Sequence, residues 1–468
     1  MKKTFLLITV LVLSVLSFSQ IKYVFFFIGD GMALPQINSA ELYLTKINNK
    51  DTKLQMSKFE AQGMTTTYSQ DSFITDSAAA GTALATGYKT LSGVINMNAD
   101  KTIKYETIAE RAKKNGMKVG IISSVSLDHA TPAAFYAHQS SRSNYYEIAM
   151  ELVESDFDFF GGGGIKYPKG KSKNEKDFYE YAEENGYKIL NTEKEFDNFE
   201  DKNQKVIIIN EDLSSGSAMK YDIDRQDEFS LSDITKKAIN ILDNEKGFFL
   251  MVEGGKIDWA GHANDAVTNI YDTLAFDESV KKAYEFYEEH PNETLIIVTG
   301  DHETGGMTIG FAGTAYSTYF DRINNQKVSF ENFDQVLSKY KKQNASFEDI
   351  KHLINENFGL FFPEDKEKAK DKGMILNDYE VKKIKQAYDM SWKDKVPNTE
   401  YTYLLYGGYE PLTITLTHIL NEKSGISWTT YSHTGVPVAT FAQGYNSEMF
   451  NGYYDNTDIA KKLFQIIG

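Results

Sequence analysis

The chain has 468 residues, 41% of them hydrophobic, enough to bury a full core as two or three domains or as one large domain with insertions. A formal charge of −16 argues against a nucleic-acid-binding surface, and the absence of cysteine excludes disulfides, thiolate metal ligands and lipidation at a lipobox cysteine.

In chain order, the first element is "MKKTFLLITVLVLSVLSFSQ", with Lys2 and Lys3, an apolar run from Phe5 to Leu16, and small Ser17 and Ser19. This pattern predicts a signal peptide over residues 1–19, cleaved before Gln20, because the apolar run is too short for an ordinary membrane span. The mature chain is therefore expected to be exported, periplasmic or secreted, with no membrane span, and more acidic still. "KYVFFFIGDG" then predicts a buried strand ending at Asp30. "TDSAAAGTALATG" (75–87) predicts a helix capped by Asp76 or Ser77 and propagated by alanines. A helix N-terminus also favours an anion, so Ser77 is a candidate nucleophile, but no histidine precedes His129 to activate it.

"YETIAERAKKNG" (105–116) reads as an amphipathic helix closed by Gly116, and "KVGIISSVSLDHATP" as a strand ending near His129. "FGGGGIKYPKGKSKNEK" (160–176) is a glycine-rich turn running into a solvated basic stretch, without Walker spacing. A serine-capped helix over 230–244 precedes "GFFLMVEGGKID", a strand ending at Glu253, and "ETLIIVTGDHETGG" gives one ending at Asp301. Residues 311–429 are lysine-rich and helical and read as a crown-like or lid-like insertion. "GVPVATFAQG" follows His433 and rejoins the sheet. Continuous apolar strands alternating with helices predict a three-layer α/β/α fold around a largely parallel sheet. The catalytic domain is expected over 20–310 and 430–468, with 311–429 inserted in the same domain.

In such sheets ligands gather at the carboxyl ends of the strands, where this chain repeatedly places Asp, Glu and His. "VEGGKIDWAGH" supplies Glu253, Asp258 and His262, the last two four residues apart and on one face of a helix. Alone, that spacing more commonly means a surface salt bridge. "GDHETGG" adds Asp301 and His302, and "SHTGVP" adds His433; with Asp30, these are hard ligands without sulfur, suited to zinc with magnesium or a similar divalent ion nearby. Arg142, within "HQSSRSNYY", alone reads as a solvated surface residue.

Asp30-Gly31 after a strand, Asp76-Ser77-Ala78, Thr131-Pro132 with Arg142 eleven residues on, Glu253…Asp258…His262, Asp301-His302 and His433-Thr434-Gly435 stand in the order of the alkaline phosphatases. The chain resembles that family over 21–310 and 430–468. The resemblance implies one zinc held by Asp258, His262 and His433, and a second held by Asp301, His302 and Asp30 that also contacts Ser77. It implies a magnesium between Asp30, Thr131 and Glu253, and Arg142 as a bidentate fork on two phosphate oxygens. Activated by zinc rather than by a histidine base, Ser77 would attack phosphate monoesters and form a phosphoserine intermediate. His129 and Trp259 stand where the enteric enzymes carry an aspartate and a lysine, a pairing similar to that of marine bacterial members, beside the magnesium and the phosphate. The insertion is expected to cover the site or to form the contact of a homodimer, as inserts do in some relatives. A phosphodiesterase or sulfatase of the same superfamily, or a metal- or phosphate-binding protein without turnover, are the competing readings.

Overall fold

The computed structural model describes residues 21–468; the expected signal peptide lies outside them. Strands β1 (Tyr23–Gly29), β2 (Ala61–Thr66), β3 (Lys118–Ser123), β4 (Phe159–Gly162), β5 (Tyr187–Leu190), β6 (Lys205–Ile209), β7 (Phe248–Glu253) and β8 (Thr294–Gly300) are followed by four two-residue strands. These are β9 (Glu303–Thr304), β10 (Thr308–Ile309), β11 (Ile426–Ser427) and β12 (His433–Thr434), after which come β13 (Val438–Gly444) and β14 (Gly452–Asp455). One ten-stranded sheet runs in the order β14-β2-β13-β8-β1-β7-β3-β4-β6-β5. Every neighbouring pair in it is parallel except those of β13, which runs antiparallel to both β2 and β8.

The sheet is buried on both faces. Phe25 and Phe27 of β1 point into one apolar layer, and Val24, Phe26 and Ile28 into the other, which is why the strand reads as an unbroken hydrophobic run. Register then aligns the strand ends. Ile28 pairs with Glu253, Gly29 with Gly300, and Ser123 with Glu253, so Asp30, Glu253 and Asp301 leave the sheet side by side.

One local expectation needs correction, and the choice between two helix caps is settled. β3 ends at Ser123, and His129 instead precedes the short helix Ala130–Ala133 after a loop. The helix Ser77–Thr86 is capped by Asp76, whose carboxylate accepts from Ala79 N at 3.1 Å; Ser77 is its first helical residue and caps nothing. The glycines after Phe160 close β4 rather than forming a phosphate loop. All ten residues of Ser77–Thr86 are buried, and small side chains let it sit tight against its neighbours: a Cβ on Gly81 would lie 2.8 Å from Ala134 Cβ.

Residues 311–429 are helical, with helices Phe330–Lys342, Phe347–Phe358, Asp378–Ser391, Glu400–Tyr406 and Pro411–Ser424 closed at their base by the β10–β11 pair. Phe333, Ile350, Leu416 and Ile419 join the same apolar layer as Phe25 and Phe27, and Phe330 and Ile414 form a smaller cluster with Tyr221, Ala260 and Ala263. A buried ion pair fastens the insertion. Lys256 has no exposed side-chain surface; its Nζ lies 2.9 Å from Ser214 Oγ, 3.4 Å from Glu331 Oε2 and 3.5 Å from the centroid of the Tyr221 ring. Removing one member of such a pair leaves an uncompensated charge among carboxylates. Lys256→Ala is therefore expected to lower the unfolding free energy by about 3 kcal/mol in urea titration of the metal-loaded protein. A loss of a few tenths would show that the pair is not what holds helix Phe330–Lys342 to the sheet.

Candidate active site

Six chain segments converge at the carboxyl ends of β1, β7, β3 and β8. Asp30 and Asp301 follow their strands directly, and Glu253 is the last residue of β7. Helix Lys256–His262 brings Asp258 and His262 back over the sheet, and β12 brings His433. Gly31 permits the crowding: it has φ +73°, and a Cβ there would meet Asp258 Cα and Thr304 Oγ1 at 2.8 Å.

The predicted ligands are brought together as three groups whose donor atoms lie within 4.8 Å of one another: Asp30, Asp301 and His302; Asp258, His302 and His433; and Asp30, His129 and Glu253. The first is the set expected for the second zinc. The second differs from expectation in placing His302 beside Asp258 and His433, with the His302 and His433 rings stacked at 3.6 Å. His262 is at the same place nevertheless, its Nε2 3.2 Å from His433 Nε2 and 3.4 Å from Asp258 Oδ2. The third adds His129 to two expected magnesium ligands, and Thr131 Oγ1 joins it by donating to Asp30 Oδ2 at 3.1 Å.

Groups that sequence patterns did not single out set the tautomers. His262 Nδ1 donates to Tyr431 O at 2.6 Å and His433 Nδ1 to Thr75 O at 2.8 Å, which leaves both Nε2 lone pairs facing the carboxylates. Thr304 Oγ1 donates to Asp258 Oδ1 at 2.5 Å and so accepts from His302 Nδ1 at 3.2 Å, with the same result for His302. His302 Nε2 then lies 3.3 Å from Asp30 Oδ1, from Asp301 Oδ2 and from Ser77 Oγ. Thr304 follows His302 by two residues, but a threonine in a turn carries no signal that separates this role from an ordinary one.

Electrostatically the site is a basin of negative charge that needs cations. Asp30 Oδ1, Asp301 Oδ2 and Glu253 Oε1 are buried without a hydrogen-bond partner. Burial, reinforced by the neighbouring carboxylates, pushes Asp30 and Asp301 well above the usual carboxylate range, and burial pushes Glu253 up to about 7. His262 is driven up to about 9 because the attraction of Asp258 outweighs the effect of burial. Bare oxygens aimed at one another are costly unless divalent ions complete them, and the oxygen and imidazole donors present fit such ions.

Arg142 is held at the edge of this basin. Its Nη1 donates to Asp76 Oδ2 at 2.9 Å and its Nη2 to His129 Nε2 at 3.3 Å. Burial, with help from Arg142, lowers His129 to about 3, so the ring is neutral; accepting at Nε2 puts its proton on Nδ1, a buried donor without a protein partner. Trp259 packs against the His129 ring at 6.0 Å.

The alkaline phosphatase family model matches residues 21–468, including the 311–429 stretch that the motif resemblance left aside. The chain is 32% identical over 462 residues to alkaline phosphatase 4 of Bacillus subtilis, covering 96% of this chain and 89% of that one. Among solved structures, a cold-active alkaline phosphatase from the psychrophile Shewanella sp. is similar with a TM-score of 0.78 and 29% identity, over 95% of this chain and 100% of that one. The alkaline phosphatase of the Antarctic bacterium TAB5 is similar with a TM-score of 0.64 and 26% identity, over 96% of this chain and 98% of that one. A variant of the TAB5 enzyme carries magnesium in its M3 site. With the whole described chain matched and the motifs meeting at one end of one sheet, the chain belongs to the alkaline phosphatases, hydrolases of phosphate monoesters.

Proposed function

We propose that this alkaline phosphatase hydrolyses phosphate monoesters of broad structure through a phosphoserine on Ser77, in a site loaded with two zinc ions and one magnesium, after export from the cytoplasm. Asp258, His262 and His433 would hold one zinc; Asp30, Asp301 and His302 the other; and Asp30, Thr131 and Glu253 the magnesium, with His129 donating from Nδ1 to water beside it. When bound, such ions lower the pKa of a hydroxyl or water and neutralise charge on phosphate and leaving oxygen.

The chain's own residues supply the rest. Ser77 Oγ forms the new bond to phosphorus as the ester P–O bond breaks and the leaving oxygen gains a proton. Water then breaks the Ser77–phosphorus bond and restores the hydroxyl. Ser77 begins a helix, so free backbone N–H groups face the phosphate. Asp76 holds Arg142 in place by an ion pair, leaving the guanidinium fork to take two non-bridging oxygens, a pairing that a monoester offers more fully than a diester.

The observation that carries this reading is the position of Ser77 Oγ, buried and 3.3 Å from His302 Nε2 with both Asp30 and Asp301 around that nitrogen. The test is turnover of 4-nitrophenyl phosphate against bis(4-nitrophenyl) phosphate at alkaline pH. A preference for the monoester of about a hundredfold or more is expected. Preference for the diester would move the protein to the phosphodiesterase reading, and no turnover of either would leave a binding protein. Among the described residues no helix is long and apolar enough to cross a membrane.

A further inference from the structure

Arg142 is the one side-chain cation used above, and Asp76 already pairs it. A second cation stands on the same side of the site. Lys166 lies in the loop after β4, and that loop is pinned to the segment leading to His129. Leu127 N donates to Gly164 O at 2.9 Å, and Lys166 N to the buried Asp128 Oδ2 at 3.0 Å. Asp128 immediately precedes His129, which touches Arg142. The half-buried side chain of Lys166 places Nζ 4.2 Å from the centroid of the Tyr145 ring, and Tyr145 opens the helix Tyr145–Glu154 three residues after Arg142. Unlike Arg142, Lys166 takes part in no ion pair with any described residue. In a chain of net charge −16, an ammonium on a loop tied to the segment of His129, in no ion pair with a described carboxylate, is available to a ligand.

We propose that Lys166 is a specificity-determining residue that engages a second anionic group of the substrate, so that compounds whose leaving group is itself charged are favoured, such as a nucleoside diphosphate, which gives up its terminal phosphate and releases the monophosphate. This rests on the monoesterase reading above. The step is the same displacement at phosphorus, with a phosphoanhydride P–O bond broken in place of an ester one: the terminal phosphoryl group passes to Ser77 and then to water, and the nucleoside monophosphate leaves with its phosphate charge against Lys166. No proton passes through the lysine. At a solvent-facing rim one such charge pair changes relative rates by about five- to tenfold.

The test compares kcat/KM for ADP and for 4-nitrophenyl phosphate in the metal-loaded enzyme and in Lys166→Ala, Lys166→Gln and Lys166→Arg, at low and high potassium chloride. The ratio of the two constants is expected to fall about five- to tenfold in the alanine and glutamine variants and to stay near wild type in the arginine variant. The wild-type ratio should also fall with salt while that of Lys166→Ala stays flat. A ratio within twofold of wild type in both neutral variants, or a loss that arginine does not restore, overturns the proposal. Using the ratio and two neutral variants keeps a folding defect from imitating the result. If the wild-type enzyme hydrolyses neither compound, the monoesterase reading falls and takes this one with it; if it hydrolyses both with a lysine-independent ratio, only this one falls.

Discussion

Ser77→Ala is expected to lower kcat for 4-nitrophenyl phosphate by about a thousandfold or more, with zinc content and melting temperature close to wild type. The fold should tolerate the change for a local reason. Asp76 supplies the cap of helix Ser77–Thr86, alanine is the best helix former, and three alanines already stand among the next four residues. The hydroxyl makes no hydrogen bond that the helix needs, only the contact with His302 Nε2. Loss of rate without loss of structure or metal separates a nucleophile from a ligand. Steady-state kinetics with elemental analysis of the same preparation checks this, and activity within tenfold of wild type would remove Ser77 from the chemistry.

Stripping the metals is expected to abolish turnover and to make the protein less stable as pH rises from about 6.5 to 9, by about 3 kcal/mol or more relative to the reloaded protein. The sign follows from the groups in the basin. Asp30 and Asp301 have folded pKa values raised by burial and mutual repulsion, and Glu253 reaches about 7. Folded protein therefore holds protons that the unfolded chain has already lost, and stability drains away as pH climbs through those values. His262, raised to about 9 by Asp258, acts in the same direction above its unfolded value. The lowered histidines His129, His302 and His433 oppose this only below about pH 6.5, where the unfolded chain gains protons that they refuse. Divalent ions replace those protons as the source of positive charge, so the reloaded protein should lack the alkaline decline. Urea titrations at pH 6.5 and 8.5 with and without chelator measure it; equal stabilities in the two metal states at pH 8.5 would contradict it.

The candidate ligands were legible in the sequence because both faces of β1, β7 and β8 are buried. Their apolar runs are unbroken, and each stops at a carboxylate that register then aligns with the others. β3 was misjudged because Val125 and Leu127 continue its apolar pattern as buried residues of a loop, so periodicity alone could not mark where hydrogen bonding to β7 ends. β2 and β14 left no trace, since "AQGMTT" and "GYYD" are short and partly exposed at one edge of the sheet. The roles of Thr75 and Tyr431 could not be read at all. Both act through backbone carbonyls, which every residue possesses.

The antiparallel strand β13 is the single bridge between one edge of the sheet and the rest. β2 is hydrogen-bonded only to β13 and β14, and β14 only to β2, so this whole wing reaches the sheet through Val438–Gly444 alone. His433 lies five residues before that bridge, while Ser77 follows β2 in the wing's other arm. A chain cut short of residue 438 would carry Asp30, Glu253 and Asp301 on or directly after neighbouring strands but would have no strand to bring β2 into the sheet beside them. Such a chain keeps the acidic half of the site but loses the one strand that joins β2 to it, leaving the helix of Ser77 held to the rest by contacts such as the Asp76–Arg142 ion pair and the packing of Gly81 on Ala134.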